Sequence, residues 1–289
     1  MRIVVTGARG QLGAAVVREC AAAHDVVPLT HADLDVADDR AVAASVDPLR
    51  PDAIVNCAAD NRVDLAEDRP VGALDVNALA VRALAHAARR TGATLVHYST
   101  DFVFDGASRA PYREDDRPNP VGVYAASKLL GEWFAFDAPR AYVLRVESLF
   151  GRAEGGPPEK GSVATILDHL RRGEAPRVFL DRTISPTYVV DAARATRRLL
   201  ESSAAPGLYH CVNAGACTWL ELAEELAAQM GVEPRFNAVR MADVTFRARR
   251  PQYSVLSVEK LAAAGIEMPG WRDAIRRYVA TAVIKNVYR

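Results

Sequence analysis

The chain reads as an α/β protein in which a doubly wound parallel sheet carries helices on both faces, followed by a smaller C-terminal α/β substrate-binding lobe. Three features predict this. Short apolar runs alternate with helical patterns over residues 1–150, a glycine turn separates the first run from the first helix, and the rhythm breaks at the loop RAEGGPPEKG after Gly151. Strands that alternate with crossover helices belong to parallel sheets covered on both faces.

Residues 2–6 form a short apolar strand, and residues 11–23 an Ala-rich amphipathic helix behind it. Further strand-like runs fall at 26–29, 53–56, 94–98 and 141–146, separated by helical patterns such as 71–90 and 121–136. Residues 1–150 are therefore expected to form the first domain and 151–289 mainly the second lobe, with helices near 163–172 and 219–230. The stretch 178–211, with a helical pattern at 189–201, is expected to return to the sheet. Trp219 and Trp271 begin helices among apolar neighbours and read as core anchors.

Composition narrows the function classes. Of 289 residues, 50% are hydrophobic and 25% charged, enough apolar material for a large core. The 36 basic and 36 acidic residues cancel, leaving no basic field to attract nucleic acid. No apolar run is long enough for a bilayer and no signal-like segment opens the chain, so a cytoplasmic location is expected. Cys20, Cys57, Cys211 and Cys217 form no CxxC pair and read as buried thiols. His210 beside Cys211 lacks partners at ligand spacing, so no metal is expected and a packed strand end is the simpler reading.

The turn after the first strand reads TGARGQLG, with Gly7, Gly10 and Gly13 spaced for a tight turn, close approach to a pyrophosphate and close helix packing. At the head of a βαβ unit this is the dinucleotide signature of a Rossmann fold. The second strand is followed by Thr30 and His31 rather than by the acidic residue that holds the ribose of NAD, and Arg9 lies in the glycine turn. NADPH is therefore the expected cofactor, with NADH as the alternative.

A second signal is Tyr124-Ala-Ala-Ser-Lys128, a YxxxK pattern that places both side chains on one helix face. A free phenol titrates near about 10, and a neighbouring ammonium and a cationic nicotinamide are expected to pull it down. Upstream, HYSTDFVFDG puts Ser99 and Thr100 at the carboxyl edge of the sheet, where open α/β folds bind ligands. Arg182, Arg249 and Arg250 lie in loop segments and are candidates for the substrate diphosphate, with boundary salt bridges as the alternative.

Together these residues resemble the extended short-chain dehydrogenases and, within them, the dTDP-4-dehydrorhamnose reductase family. The blocks that carry the resemblance are TGARGQLG at 6–13, VNCAADNRVDLAE at 55–67, HYSTDFVFDG at 97–106, PNPVGVYAASKLLGE at 118–132, SPTYVVDAA at 185–193 and RPQYSVLSVEKL at 250–261. The resemblance implies that Thr100, Tyr124 and Lys128 carry catalysis. It also implies that Gly7, Arg9, Gly10, Gln11, Leu12, Gly13, Asp35, Ala58 and Ala59 line the cofactor with Tyr124 and Lys128, and that Asn77 supports the nicotinamide end. Asp101, Phe102, Leu149 and Arg182 fall on the substrate side.

The implied activity is NAD(P)H-dependent reduction of a nucleotide-activated 4-keto-6-deoxy sugar, most closely dTDP-4-dehydro-L-rhamnose to dTDP-L-rhamnose. A ketoreductase or epimerase for another nucleotide sugar and a non-catalytic NADP-binding regulatory subunit are the alternatives. A homodimer is expected, with the 71–90 and 121–136 helices packing across a two-fold axis. Three departures fall on the substrate side: Phe102 replaces the family's usual Tyr, Leu149 stands where a Trp is usual, and Asn61 where Thr is common.

Overall fold

The computed structural model describes residues 1–284 of the 289. Five of the central strands are β1 (Arg2–Thr6), β2 (Asp25–Leu29), β3 (Ala53–Asn56), β4 (Thr94–Thr100) and β5 (Ala141–Val146). β3 and β5 are buried along their whole length, as strands covered on both faces must be. After the two-residue β6 (Leu149–Phe150) and the short β7 (Arg177–Phe179), β8 (Thr183–Ile184) and β9 (Thr187–Tyr188), the sheet is completed by β10 (Gly207–His210). The order is β2-β1-β3-β4-β5-β10, and every neighbouring pair is parallel. The order reverses at β1, so a crevice opens beyond the carboxyl ends of β1 and β3.

Helices α1 (Gln11–Ala21) and α8 (Val189–Glu201) cover one face, where Leu12, Ala15 and Val16 meet Val189, Ala193 and Leu199. On the other face lie α2 (Asp39–Val46) and α5 (Ala80–Thr91), with Val42, Val81 and Leu84 against Ile54 and Leu95. Between α2 and α5 run the short helices α3 (Val63–Asp68) and α4 (Pro70–Leu74). The expected single helix over 71–90 is interrupted: Asp75–Leu79 forms a π-helical turn. There the fully buried Asn77 uses its amide on the backbone of Asp60 and on the Ser127 hydroxyl, anchoring one side of the turn.

A second apolar cluster holds α7 (Ser162–Arg171), α9 (Trp219–Met230) and α11 (Trp271–Ile284) together, with Trp219 and Trp271 buried as anchors. Of the stretch 178–211, only β10 joins the main sheet. β7 instead pairs with β12 (Asn237–Val239), and β8 with β11 (Cys217–Thr218), because Val178 and Ile184 face this second cluster rather than the sheet. His210 is buried at the end of β10, its Nδ1 3.2 Å from the Ser257 carbonyl.

One helix joins the sheet to the chemistry. α6 (Val123–Ala135) lies so close to the π-helical turn that a Cβ on Gly131 would collide with the Asn77 carbonyl. Its N-terminus is held by Glu67, whose Oε1 accepts from Val123 N at 2.8 Å. Near its other end, Glu132 receives the Arg145 guanidinium of β5 through two hydrogen bonds of 2.8 and 2.7 Å and the Ser99 hydroxyl of β4 at 2.6 Å. Both charges are almost wholly buried, so removing one leaves the other without a counter-charge. Glu132→Ala is expected to lower stability by about 3–5 kcal/mol in urea unfolding; a loss near that of a surface substitution would show that the pair does not seat the helix.

Candidate active site

The glycine turn is built for close approach. Gly7 has φ +64°, and a Cβ there would lie 2.6 Å from the Ala58 amide. Gly10 N donates to Gly7 O at 2.8 Å, and a Cβ on Gly13 would run into that same carbonyl. The turn is pinned to the end of β2 by Ala8 N donating to Leu29 O, and it abuts the backbone of Cys57 and Ala58 after β3. No side chain caps α1, so its first amide N–H groups point into the crevice and fit a pyrophosphate.

Two sequence expectations are refined here. The Gln11 side chain turns away to donate to Gly151 O at 2.6 Å, and Leu12 is part of the core, so both can face a cofactor only through their backbone amides. At the far end of the crevice, Arg9 is exposed. The hydroxyl and amide of Thr30 hold the Asp33 carboxyl below its usual range, with a smaller contribution from the Arg9 charge. Asp35 is exposed and its Oδ1 accepts from Ala37 N at 3.0 Å.

The reactive side chains gather where β4 ends. Thr100 caps a short helical turn by accepting from Phe102 N at 3.2 Å, and donates to Asp101 Oδ1 at 3.0 Å. From α6, Tyr124 faces Thr100, and its hydroxyl donates to Asn61 Oδ1 at 3.4 Å. Lys128 donates to the Tyr98 carbonyl at 2.6 Å. Phe102 stands edge-on to Tyr124, ring centroids 5.8 Å apart, and the Arg182 guanidinium lies 5.5 Å from the Phe102 ring centre.

Burial drives the pKa of the Tyr124 phenol above the ordinary value, the Thr100 hydroxyl opposes this, and the charges of Asp101 and Asp60 add to the rise. The Lys128 ammonium points at a backbone carbonyl, and its own pKa is pushed down to about 8 by burial, with Glu132 and Cys57 opposing. Tyr124 is thus held neutral, with its proton available.

Further corrections concern placement. Asn77 is fully buried with both amide hydrogens committed, so it holds the Asp60 segment and Ser127 rather than touching a ligand. Arg250 is committed to Asp64 at 2.7 and 3.0 Å and is removed from the diphosphate candidates. Asp101 is 2% and Arg182 8% exposed, and the charge of Arg182 faces Asp101 and Glu147 instead of open solvent. Leu149 is half-buried in β6 and packs against the core of the α1 face. Glu147 and Ser254 were missed, because they reach the site from segments with no recognisable spacing to YxxxK.

A crevice shaped for a pyrophosphate and a neutral tyrosine beside a buried lysine, both at the carboxyl edge of one parallel sheet, place the chain among the extended short-chain dehydrogenases/reductases. Within that class it belongs to the RmlD substrate binding domain family, whose profile matches residues 1–284. The chain is 36% identical over 287 residues to dTDP-4-dehydrorhamnose reductase of Mycolicibacterium smegmatis, covering 98% of this chain and 86% of that protein. It is 38% identical over 283 residues to a probable dTDP-4,6-dihydroxy-2-methyloxan-3-one 4-ketoreductase of Streptomyces antibioticus, covering 96% and 94%. The crystal structure of dTDP-4-dehydrorhamnose reductase from Bacillus anthracis in complex with NADP superposes with a TM-score of 0.91 at 31% identity, covering 97% of this chain and 99% of that one.

Gly13→Ala tests the crevice directly. With its Cβ against the Gly7 carbonyl the turn must open, so calorimetric NADPH binding is expected to weaken by at least about tenfold while thermal unfolding still shows a folded protein. Unchanged affinity would move the cofactor elsewhere.

Proposed function

We propose that this protein reduces the 4-keto group of a dTDP-activated 6-deoxy sugar with NADPH, its nearest substrate being dTDP-4-dehydro-L-rhamnose. The observation that carries the reading is the meeting of Tyr124 and Lys128 of α6 with Thr100 at the end of β4, beside the crevice, in a chain whose near-full-length relatives are named for such reductions. The backbone of the Gly7–Gly13 turn and the α1 N-terminus would hold the dinucleotide, which supplies the hydride. Tyr124 gives its phenolic proton to the sugar oxygen as negative charge develops there. Burial keeps that proton on the phenol across the working pH range, as a reduction requires. The Thr100 hydroxyl, which donates to Asp101 in the free site, would turn its proton toward the same oxygen, and Lys128 fixes the ribose side of the pocket.

The direct test generates the keto sugar in situ, adds protein with NADPH or NADH, and follows cofactor absorbance while the product is identified. dTDP-L-rhamnose is expected, and no oxidation would overturn the reading. Tyr124→Phe should lower kcat by about 10²–10⁴-fold with NADPH affinity retained; near-wild-type turnover would remove Tyr124 as the donor. Arg9, beside the end of β2, is assigned to the 2′-phosphate of NADPH. Arg9→Ala is therefore expected to raise KM for NADPH several-fold and leave KM for NADH unchanged, and equal effects on both would sink the assignment.

A second reading, a ketoreductase for a different dTDP-deoxysugar, is favoured by the Streptomyces antibioticus relative and by the loss of the phenol hydroxyl at Phe102. Product analysis across keto sugars separates the two. The exposed Trp133 of α6 and Phe136 just beyond its end, with the exposed Val71 of α4 and Leu79 of the π-helical turn, both elements that pack against α6, support a homodimer through this face. A sedimentation mass unchanged by Trp133→Glu would exclude that interface.

A further inference from the structure

The segment 60–64, between β3 and α3, brings to the phenol a side chain that the reduction as described does not use. The Tyr124 hydroxyl donates to Asn61 Oδ1 at 3.4 Å. Asn61 is exposed and, with Arg62, Asp64 and Arg250, lines a cavity of about 430 Å³, room enough for a sugar ring. The residues on either side of it are tied down. Asp60 exchanges two hydrogen bonds with the Asn77 amide, donating its own N–H at 2.9 Å and accepting at its carbonyl at 3.0 Å. The Asp60 carboxylate receives Arg62 through its backbone N–H and two guanidinium nitrogens at 3.0, 2.9 and 2.7 Å. Asp64 accepts from Ala248 N at 3.1 Å and from Arg250 at 3.0 and 2.7 Å. Val63 N closes the turn by donating to the Asn61 carbonyl at 3.0 Å.

Such anchoring holds an amide where the reacting end of a substrate must come. A hydrogen bond of 3.4 Å is at the long limit, so the phenol gives it up readily to a keto oxygen. Once the phenol has turned, Asn61 Oδ1 is an acceptor without a donor, and in a pocket filled by substrate that is unfavourable. In a 4-keto-6-deoxy sugar one ring carbon next to the carbonyl bears a hydroxyl and the other bears the methyl group. Oxygens on adjacent ring carbons lie about one hydrogen-bond length apart. A hydroxyl beside a keto oxygen that faces Tyr124 therefore comes within reach of Asn61 Oδ1. Phe102, in T-shaped contact with the Tyr124 ring, and Val63, in the same apolar cluster, offer that hydroxyl no hydrogen bond.

We propose that Asn61 determines specificity: it accepts from the sugar hydroxyl next to the reacting carbonyl and selects keto sugars that carry one there. The proposal rests on the reductase reading. In the free site Asn61 Oδ1 receives the phenolic hydrogen bond. In the complex the phenol turns to the keto oxygen and the vicinal hydroxyl takes its place on Oδ1, so no acceptor is left unpaired. A sugar with hydrogen in place of that hydroxyl leaves the amide oxygen without a donor and is disfavoured. The same bond orients the ring, because the carbon that bears the methyl group supplies no donor. Asn61 neither gives nor takes the transferred proton.

The test compares a dTDP-activated 4-keto-6-deoxy sugar with its 3-deoxy counterpart, each reduced with NADPH. The wild type should favour the sugar with the 3-hydroxyl in kcat/KM by at least about tenfold. Asn61→Leu keeps the volume and removes the acceptor, so the ratio should fall to about one, through loss on the hydroxylated sugar. Asn61→Asp restores an acceptor and should keep the preference. A purely structural role would lower both sugars alike and leave the ratio where it was. Equal or reversed preference in the wild type, or equal loss on both sugars in Asn61→Leu, overturns the proposal while the reductase reading stands. If neither sugar oxidises NADPH, the reductase reading falls, and the proposal with it.

Discussion

The buried contact of Glu132 with Arg145 and Ser99 fixes where α6 lies, and the geometry of the site follows from that. The carboxylate is on the helix, the guanidinium on β5 and the hydroxyl on β4, so three elements are tied at one point inside the protein. One turn earlier on α6 comes Lys128, and one turn before that Tyr124, at a spacing that keeps all three on one face. Once Glu132 is seated, Lys128 falls on the Tyr98 carbonyl and Tyr124 on Thr100 at the end of the same strand that carries Ser99. Replacing this pair by apolar side chains could leave stability intact, because buried ion pairs seldom exceed well-packed hydrocarbon. Register is what an apolar contact would lose, since it would permit small rotations of the helix that a bidentate hydrogen bond does not.

The fold was legible because its signals are local. β1, β3 and β5 are apolar runs of strand length, and the α8 and α9 patterns end where residue type changes from periodic to turn-forming. The glycine turn was legible for the same reason: three positions within seven residues answer to one local steric demand. The break of the 71–90 helix was not, because its cause is Asn77 reaching Asp60 and Ser127, seventeen and fifty residues away. The fate of 178–211 was hidden likewise. Nothing in RVF or TI states whether a short strand will join the main sheet or pair with 237–239 and 217–218.

The site divides along the same line. Thr100, Tyr124 and Lys128 come from two blocks and were found by pattern. The charge state of the site depends on burial, which sequence does not display. A YxxxK spacing suggests an ammonium acting on a phenol, yet the folded chain turns Lys128 to a carbonyl and leaves Tyr124 facing Thr100 among acids. Glu147, Ser254 and Arg182 belong to three further segments, and only the folded chain brings the Ser254 hydroxyl onto Glu147 and the Arg182 charge to face Asp101 and Glu147.

This division bears on how the protein can differ from its relatives without losing its chemistry. The reactive groups lie inside, Lys128 bonded to the Tyr98 carbonyl and Thr100 to the Asp101 carboxyl. Two of the three departures lie on the open side: Phe102 makes a T-shaped contact with Tyr124 near the Arg182 guanidinium, and Asn61 places an amide oxygen 3.4 Å from the phenol. A Tyr at 102 would bring a second hydroxyl near the sugar, and a Thr at 61 a shorter group that cannot span that gap. Exchanges here change which sugar hydroxyls find partners, while leaving Thr100, Tyr124 and Lys128 in place. Because a hydroxyl left without its hydrogen bond in such a pocket costs about 1–3 kcal/mol, two such positions are enough to change substrate preference.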